Sequence, residues 1–136
     1  MMTDDIRVVE ISIPNELGYE KIARTVVADT ARKMGFAAEK IEDLKTAVAE
    51  ACTNAIEYGN SGDAETQVLV ELSSNRDSIC VRVVDEGRRP IPVPLPDTPA
   101  RNDRRCLGLY LMKKLMDDVK INCRPGRNEI LLTSYL

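Results

Sequence analysis

The sequence predicts an α+β two-layer sandwich, a mixed sheet with three helices against one face. Three observations predict it. Runs of alternating apolar and polar residues stand near the start, in the middle and at the end of the chain. Two amphipathic helical segments follow one another between the first run and the second. A third helical segment, set off by a proline-rich stretch, separates the middle pair of runs from the last pair. The order is strand, helix, helix, strand, strand, loop, helix, strand, strand.

Val9, Ile11 and Ile13 alternate with Glu10 and Ser12, a half-buried strand that Pro14 ends. Asn15 is expected to cap the next helix, in which Ile22, Val26, Val27, Thr30 and Met34 recur at helical spacing and Gly35 supplies the stop. The second helix is expected from about Ala38 to Tyr58, ending at Gly59. At about 100° per residue, Ile41, Leu44, Val48, Cys52 and Ala55 gather on one side of it. Asp43, Thr46, Glu50, Asn54 and Glu57 gather on the other. Val68, Val70 and Leu72 alternate, a polar turn covers residues 73–77, and Ile79, Val81 and Val83 alternate again, which reads as an antiparallel hairpin.

From Arg88 to Arg105 the chain holds Pro90, Pro92, Pro94, Pro96 and Pro99 with no apolar period, a long stiffened loop. Loops of that length in a small domain are functional or disordered. The third helix is expected to start near Leu107, with Leu107, Tyr110, Leu111, Lys114, Leu115 and Val119 along one side. A strand around Val119 to Cys123, a turn at Pro125-Gly126 and a last strand from Glu129 to Tyr135 complete the pattern. With no internal repeat and no linker, residues 1–136 are expected to form a single domain.

Composition narrows the chemistry. Formal net charge is −3, so nothing indicates a protein built to neutralise nucleic-acid phosphates. Histidine is absent, which excludes Ser-His-Asp catalysis and His-zinc sites and leaves acid–base work to carboxylates. Cys52, Cys80, Cys106 and Cys123 form no Cys-x-x-Cys pair and read as reduced thiols. No apolar run reaches the length of a membrane span and Met1–Asp5 lacks a signal pattern, so a cytoplasmic protein is expected.

Three stretches carry chemistry. Glu50 and Asn54 lie one helical turn apart on the polar face, where they either act together or are simply solvated. Asp85 and Gly87 end a strand, where a carboxylate can accept a hydrogen bond from an amino group and a glycine lets the backbone approach a flat ring. An ordinary Asp-Glu-Gly turn has the same residues. Arg104, Arg105, Leu107 and Gly108 open a helix after the loop, where a helix N-terminus and two cations suit phosphate and equally suit a surface helix start.

The segment Glu50-Ala-Cys-Thr-Asn54-Ala-Ile-Glu-Tyr-Gly59 resembles the N-box of the GHKL ATP-binding superfamily. Asp85 and Gly87 match the next box, with Arg89 at its second glycine position, and Leu107-Gly108-Leu109 matches the core of the third, with Arg104 and Cys106 where glycines are usual. The order, the elements and the Gly126-Arg-Asn128 turn make the chain most similar to the bacterial anti-sigma factor serine kinases, the small soluble branch of that superfamily. The resemblance implies the GHKL-type sandwich, ATP and Mg as cofactors, Asn54 as the Mg ligand, and Glu50 as the residue that orients or deprotonates a substrate serine. It assigns Asp85 and Gly87 to the adenine pocket and Arg104, Arg105, Leu107 and Gly108 to the phosphates. It also implies a sigma factor and an anti-anti-sigma (STAS-type) protein as partners, a homodimer, and Arg24 in Ala23-Arg24 as a partner-contacting residue. A non-catalytic partner-switch module with a degenerate nucleotide site is the alternative, motivated by Arg89, Arg104 and Cys106. A sensor kinase's catalytic domain or a topoisomerase-type ATPase fits less well, since no histidine-bearing dimerisation helix accompanies the motifs.

Overall fold

The computed structural model describes residues 6–100 and 102–136. Met1–Asp5, on which the expectation about a signal pattern rests, lie outside the described residues, as does Arg101 of the long loop. The elements in chain order are β1 (Arg7–Pro14), α1 (Glu20–Met34), α2 (Ala38–Asn54) with a π-turn at Ala55–Gly59, β2 (Gln67–Ser74), β3 (Ser78–Asp85), α3 (Arg104–Leu115), β4 (Asp118–Arg124) and β5 (Arg127–Tyr135). The expected order is reproduced.

The sheet runs β1-β2-β3-β5-β4 and every neighbouring pair is antiparallel, so it is not the mixed sheet that the pattern suggested. The crossover through α3 does bring β4 back parallel to β3. However, β5 turns at Pro125-Gly126 and inserts between them, antiparallel to both. The core lies between sheet and helices, where Val68, Val70, Leu72, Val81, Val83, Ile130 and Leu132 meet Val27, Leu44, Val48 and Cys52 of the helices. Each such side chain contributes roughly 1.5–3 kcal/mol by leaving water.

Three local expectations change. β1 is an outer strand with one neighbour, so burial is complete at Ile13, partial at Ile11 and lost at Val9, which is 44% exposed. Asn15 does not cap α1. Its Nδ2 donates to the carbonyls of Ile56 and Asp63 at 3.3 and 3.1 Å, and its Oδ1 accepts from Asn60 Nδ2 at 3.0 Å. The buried face of α3 is Gly108, Leu109 and Met112 rather than the stripe from Leu107 to Leu115, and Val119 belongs to β4. That helix begins three residues earlier than expected because Asp103 caps it. Gly35 closes α1 as expected, at φ +87°. No helix among the described residues is long and apolar enough to cross a membrane. All four cysteines are free thiols.

Candidate nucleotide site

The π-turn that ends α2 decides the shape of the site. Its wider spacing lets Asn60 N–H reach the Ala55 carbonyl at 2.8 Å and Gly62 N–H reach that of Ile56 at 2.9 Å. The turn is held by Asn60, which has no exposed surface. Asn60 Nδ2 donates to Asn15 Oδ1 and to the Gln67 carbonyl at 3.0 and 3.1 Å, while its Oδ1 accepts the Glu86 amide at 2.7 Å. The end of α2 is thereby fixed to the residues just after β3, and the Arg88 amide donates to the Gly59 carbonyl at 2.7 Å.

Glu50 and Asn54 share the polar face of α2, where Glu50 is half-buried and Asn54 buried. Asn54 is 5% exposed, and the Glu50 side chain 15%. The first turn of α3 descends on them. Arg104 Nη2 contacts Glu50 Oε1 at 3.2 Å, and Arg105 Nε donates to Asn54 Oδ1 at 3.0 Å. The Arg105 guanidinium also stands 5.0 Å from the centroid of the Tyr58 ring. Gly108, one turn further along α3, lies so close that a Cβ there would be 2.6 Å from Glu50 Oε2.

Asp85 closes β3 on the same side of the sheet as the helices, 4% exposed and opposite Asn128 of β5. Its Oδ1 accepts the Gly87 amide at 2.7 Å. Burial pushes the Asp85 carboxyl up to about 6, although the Gly87 amide, the Asn128 side chain and the Arg105 charge all favour its ionised form. Gly59 faces this carboxylate with no room for a side chain, since a Cβ would fall 1.9 Å from Asp85 Oδ2. Gly87 is required on two counts: φ is +63°, and a Cβ would meet the Arg127 amide nitrogen at 2.5 Å. Asn128 Nδ2 donates to the Arg89 carbonyl at 2.7 Å and so fixes the start of the long loop.

The N-terminus of α3 differs from the bare amide cradle that the third box implies. Asp103 Oδ1 accepts the Cys106 amide at 3.2 Å, and the Asp103 carbonyl accepts the Leu107 amide at 3.0 Å. The hydrogen bonds to its carboxylate, led by the one from the Cys106 amide, hold the Asp103 carboxyl below the usual carboxylate range, and the Asp103 carboxylate in turn pushes the Cys106 thiol up.

Glu50, Asn54, Arg104, Arg105 and Gly108 therefore line one narrow space together with Thr53 and Tyr58, and only about 10 Å³ of it is open. That is room for about one water. Asp85 and Gly87 adjoin it through the Arg105 charge and the bare Gly59. Leu107 is half-buried beside the group and makes no side-chain polar contact with it. Arg24 lies apart on α1, half-buried, and no contact ties it to the cluster among the described residues. Sequence alone does not single out Tyr58, Gly59, Asn60, Asp103 and Asn128 as site residues. Tyr58 and Gly59 stand inside the quoted motif, and Asp103 is a recognisable cap before a helix. Asn60 has no sequence signal that separates it from a turn residue.

The residues fit a nucleotide. Asn54 Nδ2 and Arg105 Nη2 are buried donors without an acceptor, a costly state that phosphate oxygens would relieve. The Asn54 carboxamide oxygen, now on Arg105, is the group that would hold Mg, with phosphate oxygens and water supplying the other ligands.

Comparison with known proteins shows the family of the chain. Residues 13–134 match the family model of the histidine kinase-like ATPase domain. The serine-protein kinase RsbW of Bacillus velezensis is 33% identical over 147 aligned positions, covering 99% of this chain and 89% of that protein. The protein of the same name from Bacillus subtilis is 32% identical with the same coverage. A crystal structure of the RsbU and RsbW domains of a Mycobacterium tuberculosis protein superposes with a TM-score of 0.70 at 18% identity. That match covers 94% of this chain and 32% of the other, and it supports the fold alone. With the matching domain and the identity shared over nearly its whole length, this chain belongs to the histidine kinase-like ATPase family and, within it, to the RsbW anti-sigma factor serine kinases.

Proposed function

We propose that residues 1–136 act as one histidine kinase-like ATPase domain, a cytoplasmic ATP-dependent protein serine kinase that phosphorylates an anti-anti-sigma (STAS-type) partner and, in its other state, sequesters a sigma factor. The observation that carries this reading is the placement of the half-buried Glu50 and the buried Asn54 one helical turn apart beneath the first turn of α3. A carboxylate held there can accept a hydrogen bond from the substrate hydroxyl and take its proton as the new phosphate ester forms.

Asp85 would accept a hydrogen bond from the adenine amino group, with Gly59 leaving room for its carboxylate and Gly87 making the turn that holds it. Arg104 and Arg105 would turn from Glu50 and Asn54 to the phosphates, as charge-assisted donors on the side where a glycine-lined loop is usual. Magnesium, when bound at Asn54, supplies charge neutralisation across the phosphate oxygens. The loop between β3 and α3 would limit water at the site. Arg24, on a separate helix, suits an acidic patch of the partner, and the exposed β1 edge with Val8 and Val9 suits a homodimer contact.

The filled site favours one alternative, a partner-binding module that does not use nucleotide. The two separate in one assay, in which the protein is titrated with Mg-ATP and then incubated with its cognate partner to look for phosphoserine. Saturable ATP binding and a phosphorylated partner support the kinase. No binding at millimolar ATP overturns it, and full phosphotransfer by Glu50→Ala would show that Glu50 is not the residue that takes the serine proton.

A further inference from the structure

The nucleotide site already contains a cationic occupant that belongs to the chain. Arg104 contacts Glu50 Oε1 at 3.2 Å, Arg105 donates to Asn54 Oδ1 at 3.0 Å, and together they reduce the open space to about 10 Å³. The Arg105 guanidinium is packed over Tyr58 and influenced by the charge of Asp85, so it touches or faces groups assigned to the metal and to the base. It is an imperfect resting place, because Arg105 Nη2 and Asn54 Nδ2 are both buried without acceptors.

We propose that Arg104 and Arg105 form a displaceable plug that sets the preference of this site for a nucleoside triphosphate over shorter nucleotides. The proposal rests on the nucleotide-binding reading above. A divalent cation and the Arg105 guanidinium cannot share Asn54 Oδ1 without like charges meeting across a few ångströms. Any nucleotide must therefore move both arginines, breaking an ion pair and a hydrogen bond before it gains anything. A monophosphate has three non-bridging oxygens, and two guanidinium forks engage all of them in competition with a metal, whereas a triphosphate receives both forks and still leaves oxygens for a metal. The release step costs every nucleotide the same, and only the longer phosphate chains recover it, so discrimination grows with phosphate number. A lid of bare glycines would have no such release step and would discriminate less.

The test compares ATP, ADP and AMP affinities by calorimetry for the wild type, Arg105→Ala and the Arg104→Ala/Arg105→Ala double variant, with and without Mg. The expected result is that the double variant binds AMP at least threefold more tightly than the wild type while its ATP-to-ADP preference falls at least tenfold. An unchanged ATP-to-ADP ratio, or a parallel loss for all three nucleotides, overturns the plug while the wild type's own ATP binding still supports the nucleotide-binding reading. No ATP binding by the wild type overturns both readings. A second measurement uses the unaltered protein: the Arg105 Nε–H signal in a nitrogen-edited NMR spectrum should be slow to exchange without ligand and should shift at lower concentrations of ATP than of AMP. A signal that exchanges freely without ligand, or that shifts at the same concentrations of both, also overturns the proposal.

Discussion

Gly108 of α3 faces Glu50 of α2 at a distance that admits only hydrogen: a methyl group there would lie 2.6 Å from Glu50 Oε2. The proposed catalytic carboxylate is thus positioned partly by the absence of a side chain on the neighbouring helix.

Gly108→Ala should separate stability from chemistry. Alanine favours a helix interior by about 1 kcal/mol over glycine, and the clash falls on the flexible end of Glu50, so the melting temperature should hold or rise. Phosphotransfer should fall by about tenfold or more as the carboxylate moves. Thermal melts and a single-turnover phosphotransfer assay check this, and a fully active variant would release Glu50 from the positional requirement.

Gly59→Ala should behave in the opposite way. Its Cβ would overlap a carboxylate that is short, buried and bound to the Gly87 amide, with nowhere to retreat. Overpacking of this kind costs about 1–3 kcal/mol, and the loss should appear in urea unfolding together with weaker ATP binding. A stability unchanged from the wild type would contradict the geometry.

Asp85 makes nucleotide binding depend on pH. Adenine recognition as proposed uses the ionised carboxylate, so ATP affinity should fall as pH drops through about 6. Stability runs the other way. Because the folded-state value is raised, the favourable contribution is full below the ordinary carboxylate range and lost as pH rises through about 6. Asp85→Asn should therefore raise the melting temperature at about pH 8, with the gain shrinking toward about pH 4, while ATP affinity falls at the higher pH. Calorimetric titrations and melts across that range decide it.

Asn60→Ala should cost about 2–4 kcal/mol, since it leaves the Gln67 carbonyl, the Glu86 amide and Asn15 short of partners in the interior. Denaturant titration measures it. A cost under about 0.5 kcal/mol, the range of an ordinary surface change, would mean that the turn is held without it.

Much of this fold was legible because its strands alternate cleanly. The β2–β3 hairpin and the α2 core face follow from Val68, Val70, Leu72 and Ile41, Leu44, Val48 with no tertiary knowledge. What escaped was set by contacts distant in sequence. Strand order depends on where β5 inserts, which no local pattern encodes, and Asn15 left its capping role for partners 41 to 48 residues away. In the candidate site, motif wording singles out Glu50, Asn54, Asp85 and Gly87, and the juxtaposition of Glu50 and Asn54 with Arg104, Arg105 and Gly108 followed. The occupation of the α3 amides by Asp103 did not, because a capping aspartate and a phosphate compete for the same donors and the sequence alone does not say which is present.

The insertion of β5 between β3 and β4 also bears on how safely the chain can be made. A polypeptide emerging from its N-terminus can pair β1, β2 and β3 at once, but β3 then presents the open backbone edge of an apolar strand until the β4–β5 hairpin has been synthesised. During that interval Ile79, Val81 and Val83 are available to a neighbouring nascent chain. Substitutions that weaken the β4–β5 turn should accordingly show up first as insoluble protein during expression, before any loss of kinase activity in the fraction that folds.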